Sequence, residues 1–316
     1  MKFGLFGSAK LNKIENDIDS SLGYNEWIDY NIEAEKLGFE STFTVEHHFT
    51  GLGQVSASLN LLTYLAAKTS KIKLGTAVLT LPWHNPVILA EQVATMDLLS
   101  KGRIQLGVGK GYRYNEFKGF KIDMSEANER FNESIDIMKK SWQNKKKWSY
   151  SGKYWSFEDI IVEPSCYQSP HPTLWMAAGN HEAIKKVAEK NANLLLDQFS
   201  PLEEVSKRVA VYKSELKENN FDDDTYNRIG LARALYIAKD EKDKRQIIEK
   251  RMTARLKVDK LSERPDGNNK SSIMEFKGPD ISAFLNWLLS CLWRGTHQLD
   301  LGQDYDRAWF ARSSPG

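Results

Sequence analysis

Short apolar runs alternate with longer stretches of helical period along most of this chain, and that rhythm limits what it can fold into. "KFGLF" opens as a strand. Trp27, Tyr30, Ala34 and Leu37 then recur at helical spacing, and Gly38 closes that helix where glycine is favoured. The β-branched and aromatic "STFTV" is a second strand, with a helix around Leu59 to Ala67. "IKLGTAVLTL" is a third strand region. Pro86 starts a helix through Leu99, placed where its missing N–H does no harm. "RIQLGVG" is a fourth strand, and a helix from Ser125 to Trp142 leads to a small hairpin in "KKWSYSGKYWSF". "TLWMAAG", "ANLLLDQF", "IGLARALYIA" and "HQLDLG" complete the strands. Helices are expected over His181–Lys190 and Pro201–Asn219, with an exposed one over the charged Asp240–Lys260 stretch.

Eight strands alternating with helices in 316 residues favour an α/β, TIM-like (β/α)8 barrel over an open doubly wound sheet. The expectation is a single domain over 1–316, with a hairpin excursion at 143–172 and a mobile loop at 257–280 containing "SERPDGNNKSS". Only fourteen residues follow Gly302, so the final helix of such a barrel is expected to be short or missing. Composition narrows the function classes. With 44 basic and 42 acidic residues the net charge is +2, without the clustered basic excess of a nucleic-acid binder. Cys166 and Cys291 stand alone and far apart, which gives no disulfide framework or metal spacing. The N-terminal apolar run is too short for a signal peptide, and Ile281–Trp293 is too short and too interrupted to span a bilayer. A cytoplasmic protein without membrane partners is expected.

In a barrel the chemistry collects where strands end. "EHHF" follows the second strand, "LPWHNP" the third, "GVGKGYRY" the fourth and "AAGNHEA" the fifth. Side chains alternate along a strand, so His47 and His48 point opposite ways and do not readily share a metal. Glu46, His48 and His84 have no zinc-enzyme spacing, and a hydrogen-bonded strand-end pair is the plain structural alternative. A proton-handling histidine fits the position better. Gly107, Gly109 and Gly111 let backbone approach a flat or charged ligand, and Lys110 adds a cation for a phosphate, although a tight turn with a surface lysine reads equally well. Gly179 and Asn180 begin a helix, which is a natural phosphate seat or simply a capped helix start.

Taken in order, "MKFGLF", "TVEHHFTGLG", "KIKLGTAVLTLPWHNPVILAEQVATMDLLSKGRIQLGVGKG", "PSCYQSPHPTLWMAAG" and, weakly, "KGPDISAF" resemble the bacterial luciferase-like, flavin-dependent monooxygenases. The resemblance covers most of residues 1–200. It implies a barrel that binds reduced FMN at the strand ends, with His47 as the catalytic histidine beside Glu46. It sets Lys110 where the family has an arginine near the flavin phosphate, keeping the charge but losing the bidentate fork. Ala178, Gly179 and Asn180 would form the backbone seat, with Gly109 and Tyr112 nearby and a cis peptide between Ala77 and Val78 against the flavin ring. The family's hydroxyl donors at the seat are replaced by Gly179 and Glu182, and Asn180 is a substitute donor. Trp83, Tyr112 and Phe117 are candidates to shape the pocket.

The implied activity is a monooxygenase that oxygenates a small aldehyde- or ketone-like substrate with O2 through a C4a-peroxyflavin. Reduced FMN would come from a separate flavin reductase, and a homodimer or luciferase-like heterodimer through the second and third helices is expected. The rivals are an F420-dependent oxidoreductase on the same fold, a noncatalytic flavin-binding protein, and a metal-dependent hydrolase using His47, His48 and His84.

Overall fold

The computed structural model describes residues 2–9, 21–51, 53–221, 224–265 and 308–312. From the N-terminus, β1 (Lys2–Gly7), α1 (Leu22–Lys36), β2 (Ser41–Thr44) and α2 (Ser58–Lys68) follow the expected order. Next come β3 (Lys73–Thr76), a short β4 (Leu79–Thr80), α3 (Pro86–Leu99) and β5 (Ile104–Gly109). The middle of the chain holds α4 (Tyr114–Phe120), α5 (Ala127–Gln143) and the hairpin β6 (Trp148–Ser151) with β7 (Ser156–Ile160). Then β8 (Thr173–Ala177), α6 (His181–Glu189), β9 (Asn193–Leu196), α7 (Leu202–Glu218), β10 (Ile229–Ala234) and α8 (Glu241–Lys260) continue the alternation.

Parallel pairing runs β1–β2–β3–β5–β8–β9–β10, with β4 extending the ladder beside β5. Every residue of β2 and β5 is buried, as strands between a filled interior and a helical layer must be. The helices show why their sequences form them. Asn85 caps α3 by accepting from the N–H groups of Val87 and Ile88, and Pro86 occupies the first turn. Gly38, just past α1, takes φ +86°, a conformation that costs other residues more. Trp142 on α5 donates its indole N–H to Ala90 O of α3 at 3.0 Å, locking two neighbouring helices together. No helix of the described residues is long and apolar enough to cross a membrane.

Two apolar cores result. The larger lies between strands and helices. The smaller fills the barrel, where Phe43, Trp175, Leu195 and Ala232 pack with Phe6, Ala77 and Val78. Phe43 and Trp175 meet edge-on at 5.8 Å, and Trp175 donates to Gln105 Oε1 at 2.9 Å. These side chains form the floor beneath the mouth. Gly75 must stay small here, because a Cβ would overlap the Phe43 ring. Gly75→Ala is expected to lower unfolding free energy by about 1–3 kcal/mol through overpacking, measured by urea denaturation.

The structure refines several expectations. "IKLGTAVLTL" holds two strands, β3 and β4, and the expected cis peptide Ala77–Val78 lies between them. "YNEFKGF" forms α4, a seven-residue helix too short to show a helical period in the sequence. Residues 257–260 belong to α8 rather than to a loop, and Ile247 and Ile248 bury one side of that helix. "HQLDLG", the helical stripe before it, and 266–280 lie outside the described residues. The strand between β10 and β1 is β11 (Ala308–Arg312), and it runs antiparallel to both. Among the described residues, seven parallel strands and one antiparallel strand therefore form the ring, since either ladder satisfies the flanking backbone edges.

Candidate active site

Alternation along the extended chain after β2 sends its three polar residues to different partners. Glu46 is 2% exposed and collects three donors on one carboxylate. His48 Nε2 lies 2.9 Å from Oε1, Trp83 Nε1 donates to Oε1 at 2.8 Å, and His84 Nε2 lies 2.9 Å from Oε1. Burial pushes the Glu46 carboxyl up, but the hydrogen bonds from His48 and His84, with the charge of His84 and the Trp83 indole, outweigh it and hold it at about 2. Both imidazole Nε2 atoms are thus engaged on a carboxylate. Among the described residues no group of three or more His, Cys, Asp or Glu is arranged to hold a metal ion.

His47 turns the other way. Its Nδ1 lies 3.1 Å from Glu116 Oε1, and that same oxygen accepts the backbone N–H of His48 at 2.9 Å. A carboxylate can only accept, so a hydrogen bond to it calls for the hydrogen on Nδ1 and leaves Nε2 its lone pair. The His47 amide is itself pinned to Val55 O at 2.8 Å. Burial depresses the His47 pKa, the Glu116 hydrogen bond opposes that, and the charge of Arg113 adds to the depression. The balance of these influences favours the neutral imidazole. Replacing Glu116 with glutamine removes the raising influence and keeps the shape. The His47 titration, followed by ring-proton NMR, is then expected to move to lower pH than in the parent protein.

The two residues expected to share catalysis thus belong to separate networks, His47 with Glu116 and Glu46 with His48, His84 and Trp83. Glu116 and Arg113 did not stand out in the sequence, because both belong to the unexpected α4 segment. A carboxylate three residues after "GYR" is the faint signal. Trp83 stacks on Phe120 with centroids 5.1 Å apart and meets Phe117 edge-on at 5.4 Å. Phe117 is 1% exposed, so it packs the wall and does not line an open pocket.

The other expected site residues gather on β3–β4, β5 and β8. Val108 pairs with Met176, and Lys110 and Ala178 each come directly after the last residue of these two neighbouring strands. Lys110 is exposed; Ala178 and Gly179 are buried. Asn180 spends its side-chain oxygen on the Ala183 N–H at 2.9 Å, capping α6 and leaving only its amide nitrogen to donate. Glu182 is exposed, away from the buried Ala178–Gly179 backbone. Gly109 is buried against Val78, whose Cγ2 lies 2.5 Å from where a Cβ would be. Tyr112 is half-buried, with its ring 5.6 Å from the Arg113 guanidinium carbon.

His47 follows β2, while Lys110 and the start of α6 follow the neighbouring strands β5 and β8 of the same barrel. The chain belongs to the luciferase-like monooxygenase family, whose model matches residues 1–277. It is 27% identical over 249 residues to the oxygenase component of a flavin-dependent trigonelline monooxygenase of Acinetobacter baylyi, covering 77% of this chain and 67% of that one. It is 29% identical over 198 residues to the alkanal monooxygenase beta chain of Photorhabdus laumondii, covering 62% and 59%. The chain spans from 48% to 67% of the length of these curated relatives and a third one. Among solved structures, monooxygenase RslO1 of Streptomyces bottropensis superposes with a TM-score of 0.73 at 26% identity, covering 83% of this chain and 78% of that one. An F420-dependent secondary alcohol dehydrogenase shares the fold at a TM-score of 0.66 and 17% identity, covering 86% and 81%.

Proposed function

We propose that this chain is a monooxygenase that takes reduced FMN from a separate reductase and uses O2 to oxygenate a small aldehyde- or ketone-like substrate. The observation that carries the reading is His47: half-buried, its pKa depressed by burial, paired with Glu116 through Nδ1, and placed just after β2 of a luciferase-family barrel. The residues fit FMN. Lys110 and the amides at the start of α6 lie on neighbouring strand ends, where a phosphate is held by a cation and by N–H groups without intrahelical partners. Ala77, Val78 and Gly109 offer apolar surface beside the Phe43–Trp175 cluster for a ring system.

Reduced flavin supplies the oxygen-activating chemistry when bound. The protein binds the phosphate through Lys110, Ala178, Gly179 and Asn180 and sets the ring against Ala77–Val78. His47 Nε2 gives or takes a proton at the reacting oxygen, while Glu116 keeps the ring in one tautomer. The Glu46 network holds the same loop rigid and excludes water from that side. Exposed Tyr64 on α2 and Ile88 and Leu99 on α3 support a homodimer or luciferase-like heterodimer through those helices. The chemistry suits a reducing, cytoplasmic setting, where Cys166, its thiol pushed by burial up to about 12, is inert.

The test is an anaerobic titration with reduced FMN and, in parallel, reduced F420. Saturable binding of FMN in preference to F420 is the expected result. Preference for F420 would replace oxygenation with hydride transfer, and FMN binding without substrate turnover would make the chain a flavin carrier.

A further inference from the structure

The scheme above leaves Arg113 unused. It sits between β5 and α4, where its backbone is extended, and the residue is only 3% exposed. An arginine guanidinium is a permanent cation, and burying it is costly unless an acceptor, usually a carboxylate, meets its fork. Elsewhere this chain follows that rule. Buried Arg208 holds Asp197 Oδ2 at 2.6 Å and Glu204 Oε1 at 3.0 Å. Arg103 donates to the carbonyls of Ala66, Thr69, Ile72 and Ser100.

Arg113 does not. Among the described residues its one hydrogen bond runs from Nη1 to Gln54 Oε1, a neutral acceptor at 3.3 Å. Its Nε is buried with no partner at all. Glu116, three residues on, has turned its Oε1 to His47 and to the His48 amide. The position is equally specific. Gln54 belongs to the loop that carries His47, and the next residue, Val55, donates its N–H to Ser8 beyond β1. Arg113 therefore reaches toward the β1–β2 side of the mouth, close enough for its charge to act on His47. Lys110 and the start of α6 stand on the β5–β8 side.

We propose that Arg113 is the recognition residue for a carboxylate on the organic substrate, so that this mouth selects anionic substrates and sets them beside His47. The proposal rests on the oxygenase reading only in taking the ligand to be the substrate. Flavin phosphate is the competing source of an anion, and the seat at Lys110 and α6 makes it the weaker candidate for this side.

The full chain, with and without FMN, is titrated with benzoate against benzamide and with hexanoate against hexanamide. Binding is read from the absorbance of bound FMN and, without flavin, from tryptophan fluorescence. A carboxylate is expected to bind about tenfold or more tighter than its amide, the discrimination of a charge-assisted hydrogen bond. Arg113→Gln is expected to abolish that preference while FMN affinity stays within about twofold, and Arg113→Lys to keep part of it. Circular dichroism confirms that each variant is folded. Equal or absent binding of carboxylates and amides to the parent protein overturns the proposal. So does a loss of FMN affinity of about tenfold in Arg113→Gln, which would assign the guanidinium to the flavin phosphate. If the parent fails to bind FMN but keeps an Arg113-dependent carboxylate preference in the flavin-free titration, the flavin reading falls and the anion site stands.

Discussion

Replacing His47 with glutamine is expected to cut substrate turnover by about 10²- to 10⁴-fold, the usual contribution of a positioned acid or base. FMN affinity should hardly change, because no part of the proposed phosphate seat is touched. The argument is geometric. Glu116 Oε1 accepts the His48 amide and, as a carboxylate, can only accept from His47, which puts the ring proton on Nδ1 and leaves Nε2 as the working atom. Glutamine cannot move a proton near neutral pH, whatever its hydrogen bonds. The matching control is His48→Gln, which perturbs the Glu46 network and leaves the proton-handling atom in place. An oxygenation assay at saturating reduced FMN separates the two. Equal losses in both variants would show that the loop's integrity, and not the His47 nitrogen, is what turnover requires.

Acid is expected to destabilise the protein through Glu46 well before general acid unfolding. The folded-state value of about 2 lies below the ordinary 4.5, so the folded state binds this proton more weakly than the unfolded chain does. The resulting stabilisation, about 3 kcal/mol from a depression of this size, is fully present above the unfolded value. It is lost progressively as pH falls from there toward 2. Glu46→Gln should therefore flatten this part of the pH dependence in urea denaturation between pH 7 and pH 3. Glu46→Ala should cost about 3–5 kcal/mol at pH 7, because it leaves the His48, His84 and Trp83 donors without their buried acceptor. Unchanged acid sensitivity in Glu46→Gln would contradict the network.

Much of this architecture is written locally in the sequence. Pro86 after Asn85 marks the start of α3 to the residue, and Gly38 marks the end of α1, because caps and left-handed termini depend on single residues. The opposed directions of His47 and His48 follow from strand alternation alone. What lay beyond the sequence is long-range. Nothing in "EHHF" indicates that Glu46 will meet His84, 38 residues later, or that His47 will meet Glu116, 69 residues later. Those pairings exist only once β2, β3 and β5 lie side by side. The direction of β11 was hidden for the same reason: a short apolar segment pairs either way, and only its neighbours decide.

The account's central claim is that the mouth seats reduced flavin and shields it while oxygen reacts beside His47. Rapid mixing of the anaerobic complex of this protein and reduced FMN with oxygenated buffer, followed by absorbance, tests it most directly. The account expects reoxidation to be delayed relative to free reduced FMN, with a transient spectrum distinct from both reduced and oxidised flavin. Immediate appearance of oxidised FMN at the rate of the free cofactor, with the protein folded and the flavin bound beforehand, would contradict it.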